Sequence, residues 1–283
     1  MEYITLNNGV EMPMEGFGVF QIPDPAQCEQ AVYDAISSGY RLIDTAAAYM
    51  NEVSVGAAIK RAGVPREELF VVTKLWVQDA SYEGAKMAIQ TSLDKLGLDY
   101  LDAYLIHQPM GDYVGAYRAM EEAYREGKIK AIGVCNFYPA RLADLCETVD
   151  IIPAINQVEL HPFFQQENAL EIMKHYGVTP MAWGPLAEGR NNIFTHPVLS
   201  PIGEKYGKSA AQVALRWNAQ RGVVIIPKSV HKERIEQNID IWDFTLTEEE
   251  MNEIAKLDLG HSEIVNHDDP NFAKMLHGLK LHN

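Results

Sequence analysis

The sequence predicts an α/β fold, a closed (β/α)8 TIM barrel, on three observations. Eight short apolar runs alternate with amphipathic stretches along the 283 residues. Most of these runs are continuously apolar, which is typical of parallel strands covered on both faces. No linker or low-complexity tract interrupts the alternation, which favours one closed barrel over an open doubly wound sheet. We therefore expect a single domain spanning residues 1–283.

The first predicted element is a β-hairpin that precedes the barrel. Apolar and polar residues alternate over 3–6 and 10–12 around the turn sequence Asn7-Asn8-Gly9, and this pattern indicates two antiparallel strands. We expect the hairpin to close the bottom of the barrel, at the N-terminal ends of its strands. The predicted barrel strands follow in order at 16–20, 41–45, 70–75, 101–107, 130–135, 153–158, 179–184 and 223–227.

Amphipathic stripes predict helices between these strands. One stripe recurs at helical spacing over residues 85–96 and another over 210–217. Two helix starts have capping boxes, Ser209-x-x-Gln212 and Thr247-x-x-Glu250. The segment 260–283 is polar and poorly periodic, so two interpretations stay open. It is either a flexible terminus or a loop that folds over the active end of the barrel.

Composition and charge restrict the class of protein. Hydrophobic residues at 47% and charged residues at 22% describe an ordinary soluble globular protein. No run approaches the ~18 apolar residues of a membrane span, and the N-terminus shows no secretory signal. Cys28, Cys135 and Cys146 form no Cys-x-x-Cys pair, which predicts reduced thiols in a cytoplasmic protein. The formal net charge of −15 argues against nucleic acid or an anionic membrane as a partner.

Four titratable residues stand at or just beyond the ends of the second, third and fourth predicted strands. Each alone has a structural explanation, as a helix cap, a packing residue, a surface cation or a core histidine. Because the carboxyl ends of barrel strands converge on one rim, we expect the four side chains to meet there. They are Asp44, Tyr49, Lys74 and His107.

The chemistry of these four residues suits proton transfer to a carbonyl compound. A phenol with a pKa of about 10 is a weak acid at neutral pH. A buried Lys74 would stabilise the phenolate of Tyr49 and lower that pKa, and Asp44 would hold the lysine charged. His107 could polarise and orient a carbonyl oxygen. The set favours protonation of the alkoxide that forms when hydride adds to a carbonyl.

Several other reaction classes lack their motifs. Gly16-Phe17-Gly18 has neither the third glycine nor the context of a dinucleotide fingerprint. The sequence contains no P-loop, no His-Glu-x-x-His and no Gly-x-Ser-x-Gly. The Rossmann dehydrogenase, nucleotide triphosphatase, zinc hydrolase and serine esterase interpretations therefore lose support. No metal is expected.

The segment after the last predicted strand is rich in cations. Pro227-Lys228-Ser229-Val230-His231-Lys232-Glu233-Arg234 leads into a predicted helix. A helix N-terminus with Lys, Ser and Arg side chains is a favourable phosphate site. The alternative is a solvent-exposed helix start of mixed charge.

Several motifs, taken together, resemble the aldo-keto reductases. The resemblance runs from the hairpin to about residue 275, and it looks closest to bacterial members of the diketogluconate and small-aldehyde reductase type. The matching segments are Gly16-Phe17-Gly18, Asp44-Thr45-Ala46-x-x-Tyr49, Lys74-Leu75-Trp76, Leu105-Ile106-His107-x-Pro109, Gly133-Val134-Cys135-Asn136-Phe137, Asn156-Gln157-Val158-Glu159, Ala182-Trp183-Gly184-Pro185-Leu186 and Ile226-Pro227-Lys228-Ser229-Val230.

This resemblance implies an activity and a cofactor. The four titratable residues would form the catalytic tetrad of an NADPH-dependent reductase of aldehydes and ketones, with Tyr49 as the general acid. Lys228 and Arg234 on one phosphate would select NADPH over NADH. Amide side chains would hold the nicotinamide carboxamide, and Trp183 would stack on its ring. The implied cofactor contacts are Asn136, Gln157, Trp183, Gly184, Leu186, Lys228, Ser229, Val230, Arg234, Gln237 and Asn238.

Three residues depart from the pattern of many family members. Cys135 stands where serine is frequent, Trp183 where tyrosine is frequent, and Gly184 where serine is common. The tryptophan and the glycine both resemble the diketogluconate-type branch. Cys135 removes a hydroxyl hydrogen bond to the carboxamide, which makes its role as a contact doubtful.

The expected substrate pocket has apolar walls and a polar floor. Phe20, Trp76 and Gln108 would line it beside the tetrad, although Phe20 is equally well explained as a core residue.

Two other functions stay open. The chain would be a non-catalytic NADPH-binding, redox-sensing module if it bound the cofactor without turnover, or a lyase or isomerase if it bound no NADPH. We expect a monomer.

Overall fold

Eight parallel strands form the central sheet, and its first and last strands meet. The structure, a computed structural model, describes residues 1–282. Each predicted strand is present. In chain order the strands are β1 (Tyr3–Thr5), β2 (Glu11–Pro13), β3 (Gly16–Gly18), β4 (Leu42–Asp44), β5 (Phe70–Leu75), β6 (Leu101–Ile106), β7 (Ile129–Cys135), β8 (Ile155–Glu159), β9 (Thr179–Trp183) and β10 (Val224–Ile225).

The sheet closes into a barrel, which confirms the predicted fold class. Its order is β3 through β10 in sequence, with every neighbouring pair parallel. The backbone N–H of Ile225 donates to Met14 at 3.0 Å, and that of Gly18 donates to Pro227 at 3.1 Å. These two bonds join the last strand to the first, so the central sheet has no open edge there.

The hairpin of β1 and β2 covers the bottom of the barrel, as expected. The side-chain amides of Asn7 and Asn8 donate to the carbonyls of Pro153 (3.0 Å) and Lys130 (2.9 Å), just before β8 and near the start of β7. Met12 is fully buried and packs among the inward-facing residues of the barrel. The N-terminal ends of the strands are therefore closed to solvent.

The strand ends differ from the prediction by one or two residues at most positions. The largest consequence is at β3, which ends at Gly18 rather than at residue 20. Beyond it the chain turns away from the sheet, with Gln21 at φ +61°. Phe20 is 51% exposed, so its interpretation as a core residue is wrong.

Helices cover the outside of the barrel. Both predicted stripes lie on helices, and both predicted capping boxes are formed. Short 3₁₀ segments lie at Ala47–Tyr49, Arg66–Glu68, Val77–Asp79 and Ala187–Thr195. The α-helices are α1 (Pro25–Ser37), α2 (Glu52–Ala62), α3 (Tyr82–Leu96), α4 (Tyr113–Arg125), α5 (Pro139–Cys146), α6 (Glu167–Tyr176), α7 (Leu199–Tyr206), α8 (Ala210–Gln220), α9 (Lys232–Ile239), α10 (Glu248–Ala255) and α11 (Pro270–Gly278).

Helix α11 lies in the segment for which no helix was predicted. Its start has a recognisable signal, because the Asp269 side chain accepts from the backbone N–H of Asn271 at 2.8 Å and Pro270 occupies the first turn. Its apolar side chains span too few turns to form a clear stripe in the sequence. None of the helices within residues 1–282 has the length and apolar character needed to cross a membrane.

One carboxyl group is buried at the base of the barrel. Glu15 is fully buried just before β3 and accepts hydrogen bonds from the Trp242 indole at 2.9 Å and the Tyr40 hydroxyl at 3.4 Å. Burial raises the pKa of Glu15 from 4.5 to about 8, and the two hydrogen bonds only partly oppose this shift.

This pKa predicts a loss of stability as the pH rises from 4.5 to about 8. Between pH 4.5 and about 8, folded Glu15 keeps a proton that the unfolded chain has released, so the free energy of unfolding falls as the pH rises. We expect Glu15 to account for a loss of roughly 3–5 kcal/mol over this range. Glu15→Gln should remove it, which urea denaturation at several pH values would measure.

The control is Glu171→Gln, the same change at an exposed site on α6. This substitution should leave the pH dependence of the free energy of unfolding as it is in the wild type. Parallel stability curves for the wild type and Glu15→Gln would contradict the assignment.

Candidate active site

The register of the sheet delivers three of the predicted residues to one end of the barrel. Side chains two residues apart on a strand share a face, and Leu42, Phe70, Val72, Ala103 and Leu105 point into the barrel core. Continuing the same alternation places Asp44, Lys74 and His107 inward at the carboxyl ends of β4, β5 and β6.

Lys74 is the centre of the site. Its Nζ lies 2.6 Å from Asp44 Oδ2, donates to the carbonyl of Thr45 at 2.8 Å, and lies 3.4 Å from the Tyr49 hydroxyl. The lysine side chain is completely buried. Although burial by itself disfavours the charge, the ion pair with Asp44 holds the pKa of Lys74 above its ordinary value. The ammonium group is therefore charged and aimed at the phenol.

Tyr49 ends the 3₁₀ turn at Ala47–Tyr49, which follows β4 and folds the ring back over the barrel. Its ring stands edge-on to His107, with centroids 5.5 Å apart and an interplanar angle of 79°. Burial raises the pKa of Tyr49 to about 12, and the charge of Lys74 acts in the opposite direction. The lysine thus acts on the phenol as expected, but desolvation outweighs it, so the net pKa is raised rather than lowered.

His107 completes the group of four. Burial first, and the charge of Lys74 second, hold the pKa of His107 well below its ordinary value. The imidazole is therefore neutral at physiological pH and has one N–H to donate. Its Nδ1 is buried and has no hydrogen-bond partner among residues 1–282.

The side-chain amides of Asn136 and Gln157, which were predicted as cofactor contacts, also hold the site residues in position. The sequence analysis did not predict this second role. Gln157 donates from Nε2 to Asp44 Oδ1 at 2.8 Å. Asn136 donates from Nδ2 to the carbonyl of His107 at 3.1 Å and accepts from the Trp183 indole at 2.9 Å. These bonds connect residues from different strands and fix their orientation. The inward position of Gln157 on β8 was the available sequence signal.

The tetrad lies in a large cavity at this end of the barrel. Its volume is about 740 Å³. Asp44, Tyr49 and His107 line it, with Lys74 directly behind the phenol. The other predicted residues that line it are Phe20, Trp76, Gln108, Asn136, Gln157, Trp183, Gly184, Leu186 and Lys228.

The three departures from the family pattern have different positions. Trp183 and Gly184 line the cavity, whereas Cys135 is buried at the end of β7 and does not line it. Gly184 has φ +59°, a left-handed conformation that glycine adopts without a steric penalty. This backbone geometry is a physical reason for glycine at that position.

The predicted phosphate segment does lead into a helix. Lys228 is exposed and lines the cavity, whereas Ser229 is buried and accepts from the backbone N–H of His231 at 3.1 Å. α9 begins at Lys232. Four further predicted contacts follow, and none of them lines the cavity. They are Val230, which is half-buried, Arg234 and Gln237, which are exposed, and Asn238, which is buried.

The part of this segment that the structure describes, residues 260–282, folds over the cavity, in agreement with the second of its two interpretations; residue 283 lies outside the described residues. At one end Ser262 donates to Glu159 Oε2 at 2.6 Å. At the other, the Trp76 indole donates to the carbonyl of Leu279 at 2.9 Å. Between these points the segment contributes Ile264, Val265, His267, Phe272, Met275, Leu276 and Leu279 to the lining.

Comparisons with known proteins agree with this architecture. The family model described as aldo/keto reductase matches residues 16–259. Glyoxal reductase of Bacillus subtilis (strain 168) is 48% identical over 255 residues, covering 90% of this chain and 92% of that protein. Methylglyoxal reductase DkgA of Escherichia coli (strain K12) is 45% identical over 260 residues, covering 91% and 94%.

Solved structures show the same relationship in three dimensions. The structure of a Bombyx mori aldo-keto reductase in complex with NADP has a TM-score of 0.89 to this chain at 37% identity, covering 96% of each chain. Both the family match and these identities extend over most of the sequence, including the strands that position the tetrad. The chain belongs to the aldo/keto reductase family.

Proposed function

We propose that this protein reduces aldehydes and ketones to alcohols, with NADPH as hydride donor and Tyr49 as proton donor. One observation supports this most directly. A charged, buried Lys74 paired with Asp44 faces the Tyr49 hydroxyl at the floor of a deep cavity. A protonated phenol beside a fixed cation suits proton donation to an oxygen that becomes negative during the reaction.

The side chains of this site would divide the reaction between them. The neutral imidazole of His107 donates one N–H to the carbonyl oxygen and orients it. NADPH, when bound, supplies the hydride to the carbonyl carbon. Tyr49 releases its proton to the same oxygen, and Lys74 stabilises the phenolate that remains. Asp44 keeps the lysine charged and in place. The products are the alcohol and NADP⁺, and the balance is one hydride and one proton per carbonyl.

The residues around the cavity fit a dinucleotide phosphate. Lys228 precedes α9 by four residues and Arg234 lies in its first turn; both are exposed cations, and no acidic side chain within residues 1–282 forms an ion pair with either. Trp183 presents an aromatic ring to the cavity. We propose that these cations bind the phosphate that distinguishes NADPH from NADH, and that the ring contacts the nicotinamide.

The test is NADPH oxidation, followed at its absorbance, with a panel of aldehydes and ketones and with NADH in parallel. We expect turnover with a preference for NADPH. Tight NADPH binding without turnover of any carbonyl would favour the non-catalytic sensing module. The absence of NADPH binding would point to a lyase or an isomerase.

Replacing the two cations should remove the preference for NADPH. For Lys228→Met and Arg234→Met we expect kcat/KM for NADPH to fall by roughly 10- to 100-fold each, since each removes a charge-assisted contact. The value for NADH should change little. Lys232→Met is the matched control, because that lysine already lies 3.8 Å from Glu236. Equal losses with both cofactors would contradict the proposed phosphate contact.

We further propose that the chain acts as one monomeric domain in the cytoplasm. Hydrogen bonds of Met14 and Gly18 with the last strand region close the sheet across residues distant in the chain, and the three cysteines are buried free thiols, which suits a reducing compartment. One cooperative unfolding transition and a monomer mass in sedimentation would be expected.

A further inference from the structure

The part of the cavity beyond the Tyr49 hydroxyl is bounded by large apolar side chains. Phe20 and Trp76 come from the barrel, and their rings flank Tyr49 and His107, with centroids 5.0 Å and 5.4 Å from those two rings respectively. The opposite side, here called the tail wall, comes from helix α11 and the residue that follows it. The tail wall consists of Phe272, Met275, Leu276 and Leu279.

Three of these apolar side chains are exposed to water. Phe20 is 51% exposed, Met275 is 59% exposed and Leu279 is 43% exposed. Large apolar surface in water is unfavourable, and an apolar group bound among them would cover it and recover that free energy. The entrance thus favours a substrate whose body is itself apolar.

The same end of the cavity offers no cation for an anionic substrate. Among the lining residues within 1–282, the only Lys or Arg is Lys228. Lys228 follows β10, whereas Trp76 follows β5. In the closed sheet, β3 and β4 separate these two strands. The charge of Lys74 is already paired with Asp44 at 2.6 Å.

The other titratable side chains that line this part of the cavity carry no positive charge, and the exposed Lys274 and Lys280, which neighbour Met275 and Leu279 in sequence, do not line it. His267 lines the cavity, and burial lowers its pKa, so it is uncharged at neutral pH. Glu188 also lines the cavity. A carboxylate in this region would lose hydration without gaining a partner, which is costly. The formal net charge of −15 adds repulsion at longer range.

The segment that contains the tail wall, residues 260–282, is held in position near both of its ends. The Trp76–Leu279 hydrogen bond is supported by Gln78, whose amide donates to the carbonyl of His282 at 2.8 Å and accepts from the backbone N–H of Leu281 at 2.7 Å. Ser262 bonds Glu159 at the other end. An apolar wall tied to the barrel at two points acts as a fixed selector.

We infer that this site selects neutral carbonyl compounds with an aromatic or extended aliphatic body and discriminates against carbonyl compounds that have a carboxylate. The inference rests on the proposed function and specifies its substrate class. Diketo sugar acids are therefore poor substrates.

A matched pair of substrates tests the inference. Methyl 4-formylbenzoate and 4-carboxybenzaldehyde have the same reacting aldehyde on the same ring and differ in the charge at the far end. With NADPH saturating at neutral pH, we expect kcat/KM to favour the neutral ester by roughly 10- to 100-fold, because the acid would place an unpaired carboxylate against the tail wall.

A charge added to the tail wall should reduce that ratio. Met275→Lys places a cation at the entrance, on an exposed helix position where folding is tolerant. We expect the ester-to-acid ratio to fall about tenfold, since the carboxylate gains a partner. The control is Met87→Lys, the same change on α3 at a residue that is 66% exposed and does not line the cavity. It should leave the ratio unchanged.

The outcomes separate this inference from the proposed function. Reduction of the acid as efficiently as the ester overturns the inference and leaves the reductase in place. Equal effects of Met275→Lys and Met87→Lys overturn the role of the tail wall. If neither aldehyde is reduced while the protein still binds NADPH, the proposed reductase itself is overturned, and the substrate class with it.

Discussion

Replacing Tyr49 by phenylalanine is expected to lower the rate of carbonyl reduction by about two to four orders of magnitude. The substitution deletes the hydroxyl that lies 3.4 Å from Lys74 Nζ and keeps the ring that packs against His107 and Phe20. Because burial raises the pKa of Tyr49 to about 12, the wild-type phenol remains protonated throughout the neutral range. The proton donor is therefore available at physiological pH and absent from the variant.

The measurement combines single-turnover NADPH oxidation with equilibrium binding of NADPH. Binding should stay close to the wild-type value, since the deleted oxygen acts on the carbonyl. Tyr176→Phe is the control, because it deletes a tyrosine hydroxyl on α6 that bonds Glu147 away from the site. If Tyr49→Phe retains wild-type turnover, another group donates the proton.

Replacing Lys74 by methionine is expected to damage both catalysis and stability. Methionine fills a similar volume but leaves Asp44 as an unpaired charge in a fully buried position. Removing one partner of a buried ion pair typically costs about 3–5 kcal/mol of folding free energy. Reduction should fall as well, because no cation then stabilises the phenolate of Tyr49.

A double variant separates these two effects. In Asp44→Asn with Lys74→Met the buried charge is gone, and the asparagine oxygen still accepts from Gln157 Nε2, which lies 2.8 Å from Asp44 Oδ1 in the wild type. Urea denaturation should show that most of the lost stability returns, while the rate of carbonyl reduction stays as low as in Lys74→Met. A double variant as unstable as Lys74→Met would show that lost packing, and not the unpaired carboxylate, caused the destabilisation.

The sequence was sufficient for much of the architecture because its signals are local. Continuous apolar runs located each barrel strand to within about two residues, and the capping boxes at Ser209 and Thr247 were formed as predicted. The positions of Asp44, Lys74 and His107 followed from strand ends and from the convergence of those ends in a barrel. Each of these predictions needed only neighbouring residues and one rule of topology.

Other features depended on partners far away along the chain. The amides of Asn136 and Gln157 were expected to contact a cofactor, but their bonds to Trp183, His107 and Asp44 arise only when strands distant in sequence lie side by side. Likewise, the sequence was equally consistent with Phe20 as a pocket residue and with Phe20 as a core residue. Its exposure follows from the turn that ends β3 at Gly18.

The sequence by itself therefore determined the barrel, the convergence of Asp44, Tyr49, Lys74 and His107 at one end of it and the cationic helix start, because periodicity and spacing encode them. The tertiary structure alone decided the net pKa of Tyr49, since desolvation depends on every residue packed around the phenol. It also decided the course of the final segment, through contacts such as that between Trp76 and Leu279, 203 residues apart. Solvation and long-range packing are properties of the folded chain, and they set the protonation and the exposure of the site residues that spacing leaves open.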